Sequence, residues 1–230
     1  PIEYRMPGVN QSQINPKVGF TFAGGLRALL RQDPNIIMVG DIRDQETAEI
    51  AINAAMTGHL VLSTLHTNDA ATSLPRLLDM GVPPFLVAYT ANIIVGQRLV
   101  RKICQFCKKE FKLDKVAIDN LAKAFDTNHL ITLFKEYIPS EKGKSFDTVS
   151  FFQGEGCRRC GDTGYKGRQG IYEVLEITSD IVTMVNKRAE ADEIAAQARK
   201  NGMITMIEDG LIKAKMGVTT INEILRVTKE

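Results

Sequence analysis

Residues 36–70, IIMVGDIRDQETAEIAINAAMTGHLVLSTLHTNDA, leave this chain little choice of fold. The apolar run IIMV stands between the turn signals Asp33-Pro34 and Gly40, which predicts a short buried strand. Asp44 suits the N-cap of a helix running through Met56, with Glu46 favourably placed in its first turn. Ala48, Ala51, Ile52 and Ala55 recur at helical spacing, and Gly58 is a natural stop. Residues 59–65 predict a second buried strand, followed by His66, Thr67, Asn68 and Asp69. Strand, helix and strand, with polar residues after each strand, make half of a parallel nucleotide-binding sheet. Ligands collect at the carboxyl ends of such strands. Here Asp41, Arg43 and Asp44 bring acid and base together at that end.

Around this unit the chain is ordinary in composition. Its 230 residues, 44% hydrophobic and 24% charged, are enough for one large or two small cores. A net charge of +2 gives no strong field for nucleic acid. No run approaches the 18 or so apolar residues of a membrane span, and no signal peptide is present, so neither a spanning helix nor export by that route is expected. The chain opens on Pro1, within what reads as a motif, and we expect it to be part of a longer protein.

Glu3 is the one acid of residues 1–16, a stretch that reads as a strand end and a turn-rich loop. Residues 22–32 predict a short helix ended by Asp33-Pro34. Arg27 and Arg31, four apart, share one of its faces. They are either cations complementing the helix dipole or groups serving phosphates or a subunit boundary. Further helices are expected over 74–80 and 85–103, the latter with Arg98, Arg101 and Lys102 as a basic stripe. His59 and His66, seven apart, fall on opposite faces of a regular strand. A histidine there is commonly structural, and His66 has the better claim to chemistry because it stands at the strand's carboxyl end.

Cys104-x-x-Cys107 and Cys157-x-x-Cys160 are the only four cysteines, and each pair has zinc-knuckle spacing. Four thiolates about 2.3 Å from the ion make a closed, structural tetrahedral zinc site. Disulfides and redox pairs are the rivals: a cytosolic chain disfavours stable disulfides, and two matching pairs favour metal. Between the pairs, Ile118, Leu121, Ala122 and Phe125 mark one amphipathic helix, then an irregular stretch, then a strand over 145–152. Gly143-Lys144-Ser145 fails as a phosphate-binding P-loop: Ile138 stands where the first glycine is required, and Phe146-Asp147-Thr148-Val149-Ser150 favours extended structure rather than a helix. Residues 164–177 read as a hairpin. Four helices follow: from Ser179, over 192–201, around Ile207, Leu211 and Ala214, and after a Thr220/Glu223 capping box.

The motifs GDIRDQETAEIA and TGHLVLSTLHTNDA resemble the Walker-B and histidine boxes of the bacterial secretion ATPases that power type II secretion and type IV pilus assembly. The resemblance extends to PIEY at the start, LRALLRQDP, RLLDMGVPPF, QRLVRKIC, the cysteine pairs, GYKGRQGIYEVL and DGLIKAKMGVTTINEILRVT. Only residues 108–153 have no counterpart. It implies an α/β fold: a RecA-like P-loop NTPase core with a partial parallel sheet, a tetracysteine zinc element and a C-terminal helical subdomain. The implied division is 1–103 for the C-terminal half of the ATPase core, 104–170 for the zinc element with its insertion, and 171–230 for the helical part.

The resemblance also assigns roles. Glu3 and Asp41 would handle magnesium and the attacking water, and His66 would read the γ-phosphate of ATP. Arg27, Arg31, Arg43 and His59 would lie near nucleotide or a neighbouring subunit. Asp41 departs from the family pattern, which has Glu there, one methylene longer. The parent would be a hexameric cytoplasmic ATPase, peripheral at the inner membrane and acting on a platform protein, while this chain alone, lacking the P-loop, would be inactive. Pilus-retraction relatives usually lack the paired cysteines. A non-catalytic zinc-bearing interaction module is the alternative. A nucleic-acid binder is disfavoured, because there is no tryptophan and no aromatic interleaving of the basic residues near the cysteines.

Overall fold

The computed structural model describes residues 2–138 and 149–228, so the rejected Gly143-Lys144-Ser145 lies outside the described residues. The chain forms two compact units, Pro1–Ile94 with Leu175–Gly202, and Val95–Val174 with Met203–Glu230. These units cut across the sequence order: residues 175–202 cluster with the first and 203–230 with the second.

In the first unit, α1 (Phe22–Leu29) is capped by Thr21, whose hydroxyl accepts the Gly24 N–H at 3.1 Å. Strand β1 (Ile36–Val39) leads to α2 (Gln45–Met56) and β2 (Leu60–Ser63), as the periodicity requires. Asp44 caps α2 through Oδ1, which accepts the Thr47 N–H at 2.8 Å, an interaction of about 1 kcal/mol. β1 and β2 pair in parallel, Ile36 with Leu60 through Val39 with Ser63. Ile37 and Val39 are buried, but the opposite face, with Ile36, Met38, Leu60 and Leu62, is exposed. The expectation of two buried strands is therefore corrected: one face of this parallel pair is not covered by the described residues. α3 (Ser73–Asp79) and α4 (Pro84–Thr90) follow, and α4 packs against α7 (Ser179–Asn186), which packs on α8 (Ala191–Lys200).

The helix expected over 85–103 stops at Thr90. Residues Ile93–Ile103 are instead strand β3, which pairs with β6 (Tyr165–Glu176). The Cys104 N–H reaches the Gly164 carbonyl and the Ile177 N–H reaches the Asn92 carbonyl, so the strands run antiparallel. Ile-Ile-Val followed by Gly96 favours extended backbone, and pairing with β6 overrides the helix expected there. For the same reason the stretch 164–177 is one strand, not a hairpin. Gly167 (φ +82°) takes a left-handed conformation within the strand without turning the chain back.

The second unit also holds β4 (Lys108–Lys112) and β5 (Ser150–Gly154), paired antiparallel from Lys108 with Gly154 to Lys112 with Ser150. Between them lie α5 (Lys115–Ala124) and α6 (Thr127–Tyr137), where the sequence reading had only one helix. α6 is capped by Asp126 and buries Leu130, Leu133 and Phe134. They join Phe151, Leu211 and Ile224 in one core, the last two supplied by α9 (Met206–Lys215) and α10 (Ile221–Thr228).

Glu223 is the most deeply buried charged residue among the described residues of this unit, 1% exposed. The Thr220 hydroxyl accepts the Glu223 N–H, half of the expected capping box. The carboxylate itself accepts from the Arg101 N–H and guanidinium (3.0 and 2.5 Å) and from Arg226 Nε and Nη2 (2.9 and 3.0 Å). Arg98 donates to the Val227 carbonyl at 2.6 Å, so Arg98 and Arg101 of the expected basic stripe both have partners.

Burial pushes the Glu223 carboxyl up, but the two arginines and the Arg101 N–H outweigh it and bring it down to about 2. A depressed folded-state pKa gives stability that is present above the unfolded value of 4.5 and is lost as pH falls through about 2. Glu223→Gln should cost about 2–3 kcal/mol at pH 7 in urea unfolding. The difference from the parent chain should shrink as pH is lowered from 4.5 towards 2. A pH-independent difference would contradict this account.

Candidate nucleotide and metal centres

The parallel register sets the first centre. Val39 stands beside Ser63, so the residues after each strand emerge side by side at their carboxyl ends. The Ile42 N–H donates to the Thr64 carbonyl at 3.1 Å, which extends the pairing past the strands. Asp41, Arg43 and His66 are thereby brought together. Arg43 Nη2 lies 2.6 Å from Asp41 Oδ2, His66 Nε2 lies 3.4 Å from the same oxygen, and the arginine and imidazole are 3.5 Å apart. Thr64, which the sequence reading did not single out, donates its hydroxyl to Asp41 Oδ1 at 2.5 Å and also contacts the Gly40 carbonyl.

The Thr64 hydrogen bond, opposed by burial and aided by Arg43 and His66, holds the Asp41 carboxyl below its ordinary value. Asp41 is an anion at neutral pH, with two oxygens suited to a hard cation or to a water hydrogen.

The other sequence candidates lie elsewhere. Glu3 is exposed in the N-terminal loop. Arg27 pairs with Glu46, tying α1 to α2, and Arg31 is exposed in the turn after α1. His59 Nδ1 sits 2.9 Å from the Ala54 carbonyl and 3.2 Å from the Thr57 hydroxyl, at the C-terminal end of α2. Both contacts are local, within the turn that leads from α2 into β2.

The second centre is the cysteine cluster. Cys104 and Cys107 occupy the tight turn between β3 and β4, and Cys157 and Cys160 the turn between β5 and β6. The β4–β5 ladder closes the excursion of roughly fifty residues that separates them and returns the second turn to the first. The Glu155 N–H then donates to the Cys107 carbonyl at 3.0 Å and the Cys104 N–H to the Gly164 carbonyl at 2.9 Å. Gly154 and Gly164 meet backbone to backbone, where a side chain on either would collide.

The four Sγ atoms lie within 4.8 Å of one another, and none is in a disulfide. Cys104–Cys157 and Cys107–Cys160 are each 3.9 Å apart, and Cys157–Cys160 is 3.7 Å. Corners of a tetrahedron about 2.3 Å from a central ion are about 3.8 Å apart, whereas a disulfide needs about 2.05 Å. The spacing therefore fits a thiophilic ion.

Burial pushes the Cys107 thiol up to about 12, helped by the neighbouring sulfurs. Burial also raises Cys160, but the N–H groups of Cys157 and Gly164 prevail and bring it to about 7. Of the flanking cations, Lys109 pairs with Glu155 at 2.5 Å. Lys108 lies over Phe152, 4.2 Å from the ring centre, and Arg159 over Phe106 at 3.8 Å.

A family model for type II/IV secretion system proteins matches residues 1–226. The chain is similar to the type IV pilus assembly ATPase PilB of Thermus thermophilus, 47% identical over 230 residues, all of this chain and 24% of that protein. It is likewise similar to the type II secretion system ATPase E of Vibrio cholerae, 41% identical over 231 residues, all of this chain and 42% of that protein. The chain thus spans roughly a quarter to two-fifths of the length of these relatives. Among solved structures, the pilus retraction motor PilT with bound ADP aligns at a TM-score of 0.57 and 24% identity, over 91% of this chain and 44% of that one. The ATPase DotB of Legionella pneumophila aligns at 0.55 and 20%, over 91% of this chain and 42% of that one. At such identities these structures show a shared α/β fold and no more.

Proposed function

This chain belongs to the family of type II/IV secretion system proteins, and from that premise we propose that it is the C-terminal part of a hexameric motor ATPase. The parent hydrolyses ATP in the cytoplasm and drives type IV pilus assembly or type II secretion by acting on an inner-membrane platform. Its RecA-like core includes residues 1–103, with the tetracysteine element at 104–170 and the C-terminal helical part at 171–230. The observation that carries the reading is the meeting of Asp41, Arg43 and His66 where two parallel strands end. The uncovered face of Ile36, Met38, Leu60 and Leu62 supports it too, because parallel sheets are normally covered on both faces and the parent has more chain to supply the cover. No described helix is long and apolar enough to cross a membrane.

Phosphoryl transfer needs positioning and charge stabilisation more than covalent chemistry. Magnesium supplies charge neutralisation at the phosphates when bound, and Asp41 and Glu3 are the carboxylates proposed to hold it or its waters. Asp41, held as an anion by Thr64 and Arg43, is the carboxylate proposed to orient the attacking water. His66 and Arg43, both exposed beside it, are donors for the γ-phosphate. Arg27, Arg31 and His59 are assigned at most a role at a neighbouring subunit.

The cysteine cluster is proposed to hold one structural zinc, because all four ligand positions come from the chain and leave none for water. Metal analysis should find about one zinc per chain. Cys157→Ser should lose the metal and unfold the two turns, since the binding energy is folding energy. Native protein without zinc and with a Cys104–Cys107 disulfide would refute the site.

In the full-length parent, Asp41→Asn should keep ATP bound while turnover falls roughly 10²-fold or more. Asp41→Glu should leave turnover equal to or higher than that of the unaltered parent, because it keeps the charge and restores the family's usual reach. The 230-residue chain alone, without a P-loop, should show no magnesium-dependent turnover. If this chain is instead a non-catalytic zinc-bearing module on an ATPase scaffold, neither substitution changes hydrolysis in the parent. Steady-state hydrolysis with nucleotide binding measured alongside decides, and a full-speed Asp41→Asn enzyme overturns the assignment.

A further inference from the structure

Thr64 follows β2 directly and is tied to the sheet by its own backbone, whose carbonyl accepts the Ile42 N–H at 3.1 Å. Its side chain therefore starts from a fixed point. The hydroxyl carries one proton and shares it between Asp41 Oδ1, at 2.5 Å, and the Gly40 carbonyl. The two groups on the other carboxylate oxygen are different in kind. Arg43 and His66 have side chains 64% and 74% exposed, and they must be able to leave Oδ2 if they are to meet a phosphate. Once they leave, Thr64 is the described side chain that still sets the rotation of the carboxylate.

We propose that Thr64 is a positioning residue. Its hydroxyl takes Asp41 Oδ1 and so presents Oδ2 to the attacking water or to a magnesium-bound water. This inference rests on the reading of Asp41 given above. The competing role is purely structural: the same hydroxyl could merely staple the Gly40 carbonyl to β2. The two roles differ in one respect. A staple on Gly40 is indifferent to the length of the acid at position 41. A hold on Oδ1 is not, because a longer side chain carries its oxygens past the hydroxyl.

The test is steady-state ATP hydrolysis by the full-length parent, in a double-mutant cycle between positions 64 and 41. Thr64→Val should lower kcat at least about tenfold while the KM for ATP changes by less than about threefold, as expected for a misplaced group rather than lost binding. Thr64→Ser keeps the hydroxyl and should recover most of the rate. In the Asp41→Glu background, Thr64→Val should cost much less than it does beside Asp41.

A Thr64→Val enzyme with parental kcat overturns the proposal. So do equal losses for valine and serine, a loss confined to KM, or the same fold-loss beside Asp41 and beside Glu. If Asp41→Glu is too slow to measure, the valine–serine comparison decides alone. Asp41→Asn separates the two levels of the argument. If it is slow while Thr64→Val is fast, only the positioning role fails. If Asp41→Asn is fast, the reading of Asp41 fails and the positioning role falls with it.

Discussion

The parallel pairing of β1 with β2 is the constraint on which the candidate nucleotide site depends. Four residue pairs, Ile36–Leu60 to Val39–Ser63, fix the point at which each strand stops. Parallel strands end on the same side of a sheet, so residues far apart in sequence are delivered to one place. Asp41 comes from one strand end and Thr64 and His66 from the other, and Arg43 folds back between them. Slipping the pairing by one residue would turn Ile37 and Val39 out of the core and part Thr64 from Asp41. Burial of those two side chains, about 1.5–3 kcal/mol each, is thus also what holds the site in register.

The cysteine centre uses the opposite strategy. There the fold makes two antiparallel returns, β3 with β6 and β4 with β5, and places one cysteine turn at each junction. The α5–α6 excursion separates the two pairs in sequence, and the β4–β5 ladder returns the chain from it. This explains why cysteine pairs so distant in sequence meet at 3.9 Å without a disulfide.

What was legible in the sequence follows from how local the information was. The β1–α2–β2 unit combines a clean cap at Asp44, helical spacing and two apolar runs between turn signals, and all of it is local. α6 is equally local: Asp126 precedes Leu130, Leu133, Phe134 and Tyr137 at helical spacing, a cap and an apolar face within one short segment. β3 could not be read locally. Its residues fit a helix as well as a strand, and only β6, some seventy residues away, decides. Thr64 was hidden for a related reason, since its neighbour Asp41 is set by strand register. Nor does the sequence show that Ile36, Met38, Leu60 and Leu62 face outward among the described residues, because their apolar character is what a buried strand would have.

Asp41 is the residue on which the functional account turns, and the most direct measurement is a crystal structure of the full-length parent with magnesium and a non-hydrolysable ATP analogue. The account predicts Asp41 Oδ2 within hydrogen-bond reach, about 2.6–3.2 Å, of the water in line with the γ-phosphate or of a magnesium-bound water. Thr64 should still be on Oδ1, and Arg43 should have moved off Oδ2. An ordered nucleotide with Asp41 still paired to Arg43, and with Glu3 alone touching the magnesium or the water, would contradict it.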